Sequence, residues 1–198
     1  MAICIVLLVY GIIIVVMNEL LKKLQNLNAD ESIEKAVIVK RIIEVIHDTG
    51  YAEVEVNDQK PWGAYIRLDS LHADRFVDEF FPGLSPIEAR LGSEQAELSP
   101  KILLVSPSQR LSWQFHNRRA ERWTFLSDGA FERSLTDEES NPIIAQKGDV
   151  VQFAQGERHR LIGVPGRYVM VAEIWQHTDA NDLSNEEDII RLADDYVR

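Results

Sequence analysis

From about residue 51 onward, the chain is divided into short runs of β-branched, aromatic or alternating apolar residues, and this pattern restricts the fold most. Turn-forming pairs such as Asp128-Gly129 and Pro165-Gly166 separate the runs. Many short strands at this spacing are typical of a β-sandwich or a small barrel, so a mainly β fold is predicted. The predicted strands are Ala52–Val56, Ala64–Leu68, Ile102–Val105, Leu111–Phe115, Arg122–Leu126, Ile143–Ala145, Val150–Phe153, His159–Ile162 and Tyr168–Trp175.

Helical periodicity precedes the predicted strands. Apolar residues at helical spacing predict two packing helices in residues 17–50, the first within 18–28. Asp30 or Ser32 is the expected cap of the second, which should run to about His47. The strand-rich domain is therefore expected to span 51–198, after a helical N-terminal segment at 17–50.

Two further segments depart from the strand pattern. Residues 71–98 form a less regular insertion, which we expect to be a loop and a short helix covering one end of the barrel. Near the C-terminus, Ser184 followed by Glu187 matches a capping box and predicts a short terminal helix.

Residues 1–16 form an apolar N-terminal run, and no charged residue occurs before Glu19. The run is at the short limit for a membrane-spanning helix and has no basic n-region or cleavage site of a secretory signal. Two interpretations remain open. Either the run is a short anchor with Lys22 and Lys23 on the cytoplasmic side, or translation starts at Met17 and the protein is cytoplasmic.

Charge and cysteine content exclude several classes of function. The formal net charge is −11, which argues against a nucleic-acid-binding surface. The single cysteine, Cys4, excludes an internal disulfide framework and a Cys-rich zinc module. Residues 101–167 nevertheless contain 10 basic and 8 acidic residues inside this acidic chain. That local balance suits either a pocket for a small anion or arginines on solvated strand edges.

Four polar residues form a candidate metal site. Gln114 and His116 are two apart on a predicted strand and so share a face of the sheet. Glu121 should open the next strand, and His159 lies on a later one. An amide oxygen, two imidazoles and a carboxylate suit Zn²⁺, and also Mn²⁺, Fe²⁺, Co²⁺ or Ni²⁺.

The residues around these candidates resemble the two motifs of the cupin superfamily. The first motif is matched by Gln114, His116, Glu121 and Gly129. The second is matched by Gly148, Gly156 and His159 at the expected spacing. Gln114 stands where the first motif has a histidine, and Ala154 stands where the second has a proline. The resemblance implies a cupin jelly-roll barrel that binds one divalent metal ion, Zn²⁺ being the first expectation. It also implies a homodimer, because cupins commonly pair through edge strands.

Further segments are similar to the C-terminal cupin module of the type II mannose-6-phosphate isomerase/mannose-1-phosphate guanylyltransferase proteins. The similarity covers roughly residues 60–198, interrupted by 71–98. Its segments are KPWGAY from Lys60, LS-x-Q-x-H, R-A-E-x-W, GERHRL and EEDIIRLADDYVR. Asn117, Arg118 and Arg122 stand where these modules commonly carry histidines, which leaves the exact sugar open. We expect no guanylyltransferase activity, because the 198 residues contain no Gly-rich nucleotide-binding start.

This resemblance implies a metal-dependent aldose–ketose isomerase of the mannose-6-phosphate type, acting on a sugar phosphate. The alternative is a non-catalytic sugar- or sugar-phosphate-binding cupin. The implied metal ligands are Gln114, His116, Glu121 and His159. The expected substrate contacts are Lys60, Arg119 and Arg160, and the candidate catalytic residues are Lys101, Glu173 and Arg191. Glu173 is either the general base or a structural carboxylate, and Arg191 on its predicted helix is either functional or an ordinary partner of Glu187.

Overall fold

The computed structural model describes residues 19–93 and 96–196. The apolar run 1–16 and the alternative start at Met17 lie outside the described residues. Eleven strands are present within the described ranges: β1 (Glu53–Asn57), β2 (Gly63–Leu68), β3 (Lys101–Val105), β4 (Trp113–Phe115), β5 (Arg119–Phe125), β6 (Gly129–Ser134), β7 (Ile143–Ala145), β8 (Val150–Phe153), β9 (Arg158–Ile162), β10 (Val169–His177) and β11 (Ile190–Ala193).

The strands form two antiparallel sheets. One has the order β1-β2-β3-β10-β5-β8, and the other has the order β11-β4-β9-β6-β7. Strands β3 to β10 alone give β3-β10-β5-β8 and β4-β9-β6-β7, which is the strand order of a jelly roll. The predicted mainly β jelly-roll fold with N-terminal helices is therefore confirmed.

The inner faces of the two sheets enclose an apolar cluster that includes Trp123, Phe125, Phe153 and Leu161. Strand periodicity explains this arrangement, since alternate residues of β5 point inward. The same periodicity points polar residues inward at the other end of β5, where Arg119 and Glu121 lie on the same face of the strand as Trp123. One end of the jelly roll is therefore packed with apolar side chains, and the other contains buried charges.

Helices cover the outer face of the six-stranded sheet. They are α1 (Glu19–Gln25), α2 (Lys35–Asp48), α3 (Ala73–Phe80) and α4 (Pro86–Ala89), with a 3-10 turn at Ser70–His72. Their apolar residues form a second cluster with strand residues such as Ile66, Leu104 and Ile174. Glu79 ties this layer together, because its carboxylate accepts from the Leu21 backbone N–H (2.9 Å) and the Tyr51 hydroxyl (2.8 Å).

Three predictions about helices were wrong, and the first two concern the segment 71–98 and the cap of α2. The segment 71–98 contains two α-helices that pack on the sheet's outer face rather than over an end of the barrel, because Phe76, Phe80 and Phe81 belong to the helical cluster. Helix α2 begins at Lys35, after Glu34, so neither Asp30 nor Ser32 caps it.

The C-terminal segment is also different from its prediction. It contains strand β11 in place of a helix, because this segment pairs with the edge strand β4. Ser184 bonds to Asp188 through its hydroxyl and does not form the predicted capping box. Within the described residues, no helix combines the length and apolar character needed to cross a membrane.

Replacing Gly63 by Ala should destabilise the fold strongly. Gly63 has φ +152°, and an added Cβ would lie 1.9 Å from the Leu104 carbonyl oxygen on the paired strand. We expect a loss of about 3 kcal/mol or more in the free energy of unfolding, measured in urea. Gly83→Ala is the control, since Gly83 also has positive φ (+87°) but has no atom within 4 Å of the added Cβ. Its loss should be only about 1–2 kcal/mol, and equal losses would contradict the clash.

Candidate metal centre

Three ionisable side chains converge at the polar end of the jelly roll. His116 follows directly after β4, Glu121 lies on β5, and His159 lies on β9. Each is at most 2% exposed. The His116 Nε2 and Glu121 Oε1 atoms are 3.0 Å apart, and the His159 Nε2 and Glu121 Oε2 atoms are 3.3 Å apart. These ligand atoms all lie within 4.8 Å of one another, so they can face one ion.

Backbone carbonyls orient both imidazoles. The Nδ1 of His116 bonds to the Asp188 carbonyl, and the Nδ1 of His159 bonds to the Glu157 carbonyl (2.9 Å). A carbonyl only accepts, so each Nδ1 carries a proton, and each ring turns its Nε2 toward Glu121. This is the arrangement that holds histidine ligands of metals in place.

The converging atoms lack hydrogen-bond partners among the described residues. His116 Nε2, His159 Nε2 and Glu121 Oε2 are all buried without one. A buried polar atom without a partner is costly. A divalent cation would satisfy all three, so the chemistry of this group fits a metal ion such as Zn²⁺. The identity of the metal is not fixed by these residues, because the same ligands also suit other transition metals.

The electrostatic surroundings favour the ligand-competent forms. Burial lowers the pKa of His116, against the opposing effect of the Glu121 carboxylate. Burial alone would raise the pKa of Glu121, but the neighbouring His116 and Arg119 outweigh it and hold that pKa well below its usual value. Arg119 donates from Nε to Glu121 Oε1 at 2.9 Å. Glu121 is therefore a carboxylate at neutral pH.

Gln114 lies next to this triad. It is on β4, directly opposite His159 in the register, and it is 7% exposed. Its amide Oε1 accepts from the Ser112 hydroxyl at 2.7 Å. An oxygen has a second lone pair, so this bond leaves room for a metal contact. Its role as a fourth ligand stays a prediction.

A cavity of about 280 Å³ opens beside the triad. Ionisable groups dominate its wall, four acidic and four basic: Glu55, Glu121, Glu173, Glu186, Lys60, Lys101, Arg119 and Arg191. The two sheets both contribute, because β3, β5 and β10 lie on one side and β4 and β11 on the other. The cavity thus offers both signs of charge next to the candidate metal position.

Glu173 is a buried carboxyl in this cavity. Its Oε2 accepts from the Trp123 indole N–H at 3.1 Å, and its Oε1 lies 3.7 Å from Lys101 Nζ. Burial, followed by the negative charge of Glu121, raises the pKa of Glu173 to about 7 despite Lys101. Lys101 is shared, since its Nζ also lies 2.9 Å from Glu186. Near neutral pH, Glu173 can therefore both accept and donate a proton.

The raised pKa of Glu173 predicts a pH-dependent stability in the metal-free protein. Its folded-state pKa of about 7 exceeds the usual 4.5, so its contribution is fully present below about pH 4.5 and is lost as the pH rises through 7. Glu173→Gln does not ionise and should gain about 2 kcal/mol relative to wild type between pH 5 and pH 8. Urea unfolding with a chelator at both pH values measures this difference. A difference that does not change with pH would contradict it.

Not every predicted substrate contact lies in the cavity. Lys60, Lys101, Arg119 and Arg191 line it. Arg160, also expected to contact substrate, does not line it, because it neighbours His159 on β9 and so points to the opposite face. There its guanidinium pairs with Glu132 (2.7 Å) and with Glu139.

Arg191 lies in the cavity for a reason different from the one expected. It is on β11, opposite Gln114 in the register, and not on a helix. The predicted helical i−4 pairing with Glu187 therefore does not apply. Its position next to Gln114 brings a positive charge from the second sheet to the cavity wall.

Sequence reasoning missed three groups that support the site. These are the Asp188 and Glu157 carbonyls, which orient the histidines, and the Trp123 indole, which holds Glu173. The Trp123 position was accessible from the sequence, because Trp123 is two residues from Glu121 and so shares its face. The carbonyl contacts carried no signal, since every residue has a carbonyl.

Comparisons with known proteins add little beyond this geometry. No protein-family model and no curated protein matches the chain. Among solved structures, the capsular polysaccharide assembling protein CapF from Staphylococcus aureus is 12% identical, with 79% of this chain and 35% of that chain covered and a TM-score of 0.49. The Lactobacillus farciminis oxalate decarboxylase–formate complex is 14% identical, with 70% and 33% covered and a TM-score of 0.46. The chain spans about a third of the length of these two proteins. A jelly roll with a buried His-Glu-His group is what the chain's own strand order and contacts establish.

Proposed function

We propose that the chain is a metal-dependent sugar-phosphate isomerase that interconverts an aldose and a ketose, with mannose 6-phosphate and fructose 6-phosphate as the first candidates. The observation that carries this proposal is Glu173, a buried carboxyl whose pKa is raised to about 7, in a cavity that Glu121 of the His116–Glu121–His159 triad also lines. A proton-transfer catalyst works best when its pKa lies near the working pH.

The residues around the cavity would have different roles in such a reaction. A metal held by His116, Glu121 and His159 would supply Lewis-acid polarisation of the substrate oxygens. Glu173 would take the proton from C2 of the aldose and return it to C1, so that no proton is gained or lost overall. Lys101 would stabilise negative charge on the substrate oxygens or exchange a proton with them. The Trp123 N–H would keep the Glu173 carboxyl aimed into the cavity.

The phosphate would bind to cations on the cavity wall. Lys60, between β1 and β2, and Arg191, on β11, both line the cavity. Arg119 is engaged elsewhere, because its Nε donates to Glu121 and its NH1 donates to the Asn185 carbonyl (2.9 Å). We assign Arg119 to the support of Glu121, and we assign phosphate recognition to Lys60 and Arg191 because both place positive charge on the cavity wall.

A specific observation favours the alternative, a non-catalytic sugar-phosphate-binding protein. Lys101 pairs with both Glu173 and Glu186, so the groups proposed for proton transfer are already engaged with each other. A binding protein needs the metal and the cations but no free base. A measurement of turnover distinguishes the two functions.

The test is a coupled assay of metal-loaded protein with mannose 6-phosphate and a panel of other sugar phosphates. We expect metal-dependent turnover that a chelator abolishes, and a loss of about 10²–10⁴-fold in kcat for Glu173→Gln with the metal retained. Glu79→Gln is the matched control, because Glu79 is a buried carboxyl in the helical layer and does not line the cavity. Its kcat should match that of wild type.

Binding without turnover would support the alternative function. It would appear as sugar-phosphate affinity in the metal-loaded wild type, equal affinity in Glu173→Gln, and no product with any sugar of the panel. A protein that shows no binding and no turnover with any sugar phosphate would exclude both functions.

A further inference from the structure

A C-terminal strap, defined as residues 183–189, lies across the turn that follows β4. Arg118 on this turn donates to the Leu183 carbonyl and to the Asn185 side chain, both at 2.9 Å. Strand β11 follows the strap and pairs with β4. The strap is therefore fixed to the same strand end from which His116 projects.

Asp188 makes the densest set of contacts in the strap. Its carboxylate accepts from the backbone N–H groups of Asn117 and Arg118, both at 2.9 Å, and from the Ser184 hydroxyl at 2.8 Å. The residue is only 5% exposed. Hydrogen bonds to a buried carboxylate are among the strongest in proteins. Asp188 thus holds the two residues that directly follow His116.

The strap also reaches two members of the triad. The Asp188 carbonyl accepts from His116 Nδ1, and the Asn185 carbonyl accepts from Arg119, whose Nε donates to Glu121. One short segment therefore orients an imidazole and, through an arginine, a carboxylate. The contact on His116 is made at Nδ1, on the opposite side of the ring from the Nε2 that faces Glu121.

We propose that Asp188 is a positioning residue for the metal centre, acting through the backbone of the turn and through its own carbonyl on His116. This inference rests on the metal centre that the proposed function requires. Without the carboxylate, the strap would shift from the turn, and the His116 ring would lose the acceptor that fixes its Nε2 toward Glu121. Loss of such outer contacts typically lowers metal affinity by about 10–100-fold.

The test compares Asp188→Ala and Asp188→Asn with wild type in Zn²⁺ competition against a chromophoric chelator and in the visible absorption of the Co²⁺-loaded protein. We expect Asp188→Ala to bind Zn²⁺ about 10–100-fold more weakly and to change the Co²⁺ spectrum. Asp188→Asn keeps one oxygen that accepts a backbone N–H, so it should lose less Zn²⁺ affinity than Asp188→Ala. If Asp188→Ala does not fold, Asp188→Asn carries the test.

Asp195→Asn is the matched control. Asp195 is also near the C-terminus but lies outside the strap and pairs with Arg110 (2.6 Å). We expect its affinity and Co²⁺ spectrum to match those of wild type. A folded Asp188 variant with wild-type affinity and an unchanged spectrum would overturn the proposal.

A second measurement separates this proposal from the metal centre itself. In ¹⁵N-histidine NMR of the metal-free protein, His116 should carry its proton on Nδ1 in wild type and show mixed tautomers in Asp188→Ala. If wild type takes up no metal, the metal centre fails, while this tautomer result still decides the positioning role. Mixed tautomers in wild type would overturn it.

Discussion

Zn²⁺ at about 1,000 times its dissociation constant is expected to raise the free energy of unfolding of the wild-type chain by about 4 kcal/mol. Glu121→Gln is expected to reduce that gain to about 1 kcal/mol or less, because it removes the central charged ligand between His116 and His159. The Gln side chain still offers an oxygen to Arg119, so the substitution changes charge more than shape. Urea unfolding with and without the metal measures both values.

Glu173→Gln is the control for this experiment. It removes a buried carboxyl from the same cavity but leaves the three triad residues in place. Its metal-dependent gain should equal that of wild type. The candidate metal centre would be wrong if Glu121→Gln kept the full gain, or if wild type gained nothing from any of the metals Zn²⁺, Mn²⁺, Fe²⁺, Co²⁺ and Ni²⁺.

Phe76→Ala is expected to lower the free energy of unfolding by about 3–5 kcal/mol. Phe76 is fully buried in the helical layer, and its ring centroid lies 4.4 Å from that of Phe80 and 5.9 Å from that of Phe81. This layer covers the outer face of the six-stranded sheet, so its loss exposes sheet residues as well as the cavity left by the ring. Chemical denaturation measures the change.

Leu71→Ala is the control for the helical layer. Leu71 lies five residues earlier and is 87% exposed, so its loss should stay within about 0.5 kcal/mol. A small effect of Phe76→Ala, together with an unchanged jelly roll by circular dichroism, would mean that residues 70–89 are an appendage and not part of the core.

Most of the jelly roll was predictable, because apolar and polar residues alternate along its strands as the inner and outer faces do. Strand β6 was missed because its outward Glu132 is buried in an ion pair with Arg160, so burial does not follow hydrophobicity there. Strand β11 was missed because its segment begins with acidic residues that resemble a helix start. Its strand form depends on pairing with β4, which is a tertiary contact.

The candidate site was predictable in its ligands and not in its supports. His116, Glu121 and His159 are on inward positions whose identity and spacing already indicated a metal. The position of Arg160 outside the cavity follows from strand parity, because its neighbour His159 points inward. Asp188 acts partly through its carbonyl, and no sequence pattern marks which carbonyl will meet a distant imidazole.

The contact between His116 and Asp188 joins residues 72 positions apart. Contacts of such long sequence separation form slowly, because the intervening chain must be ordered first. During synthesis, the strands that carry all three triad residues emerge before the segment that orients His116. A nascent chain stopped before residue 188 would contain the triad but not this orientation. The orientation of His116 by the Asp188 carbonyl therefore forms only after residue 188 has been synthesised, later than the strands that carry the triad.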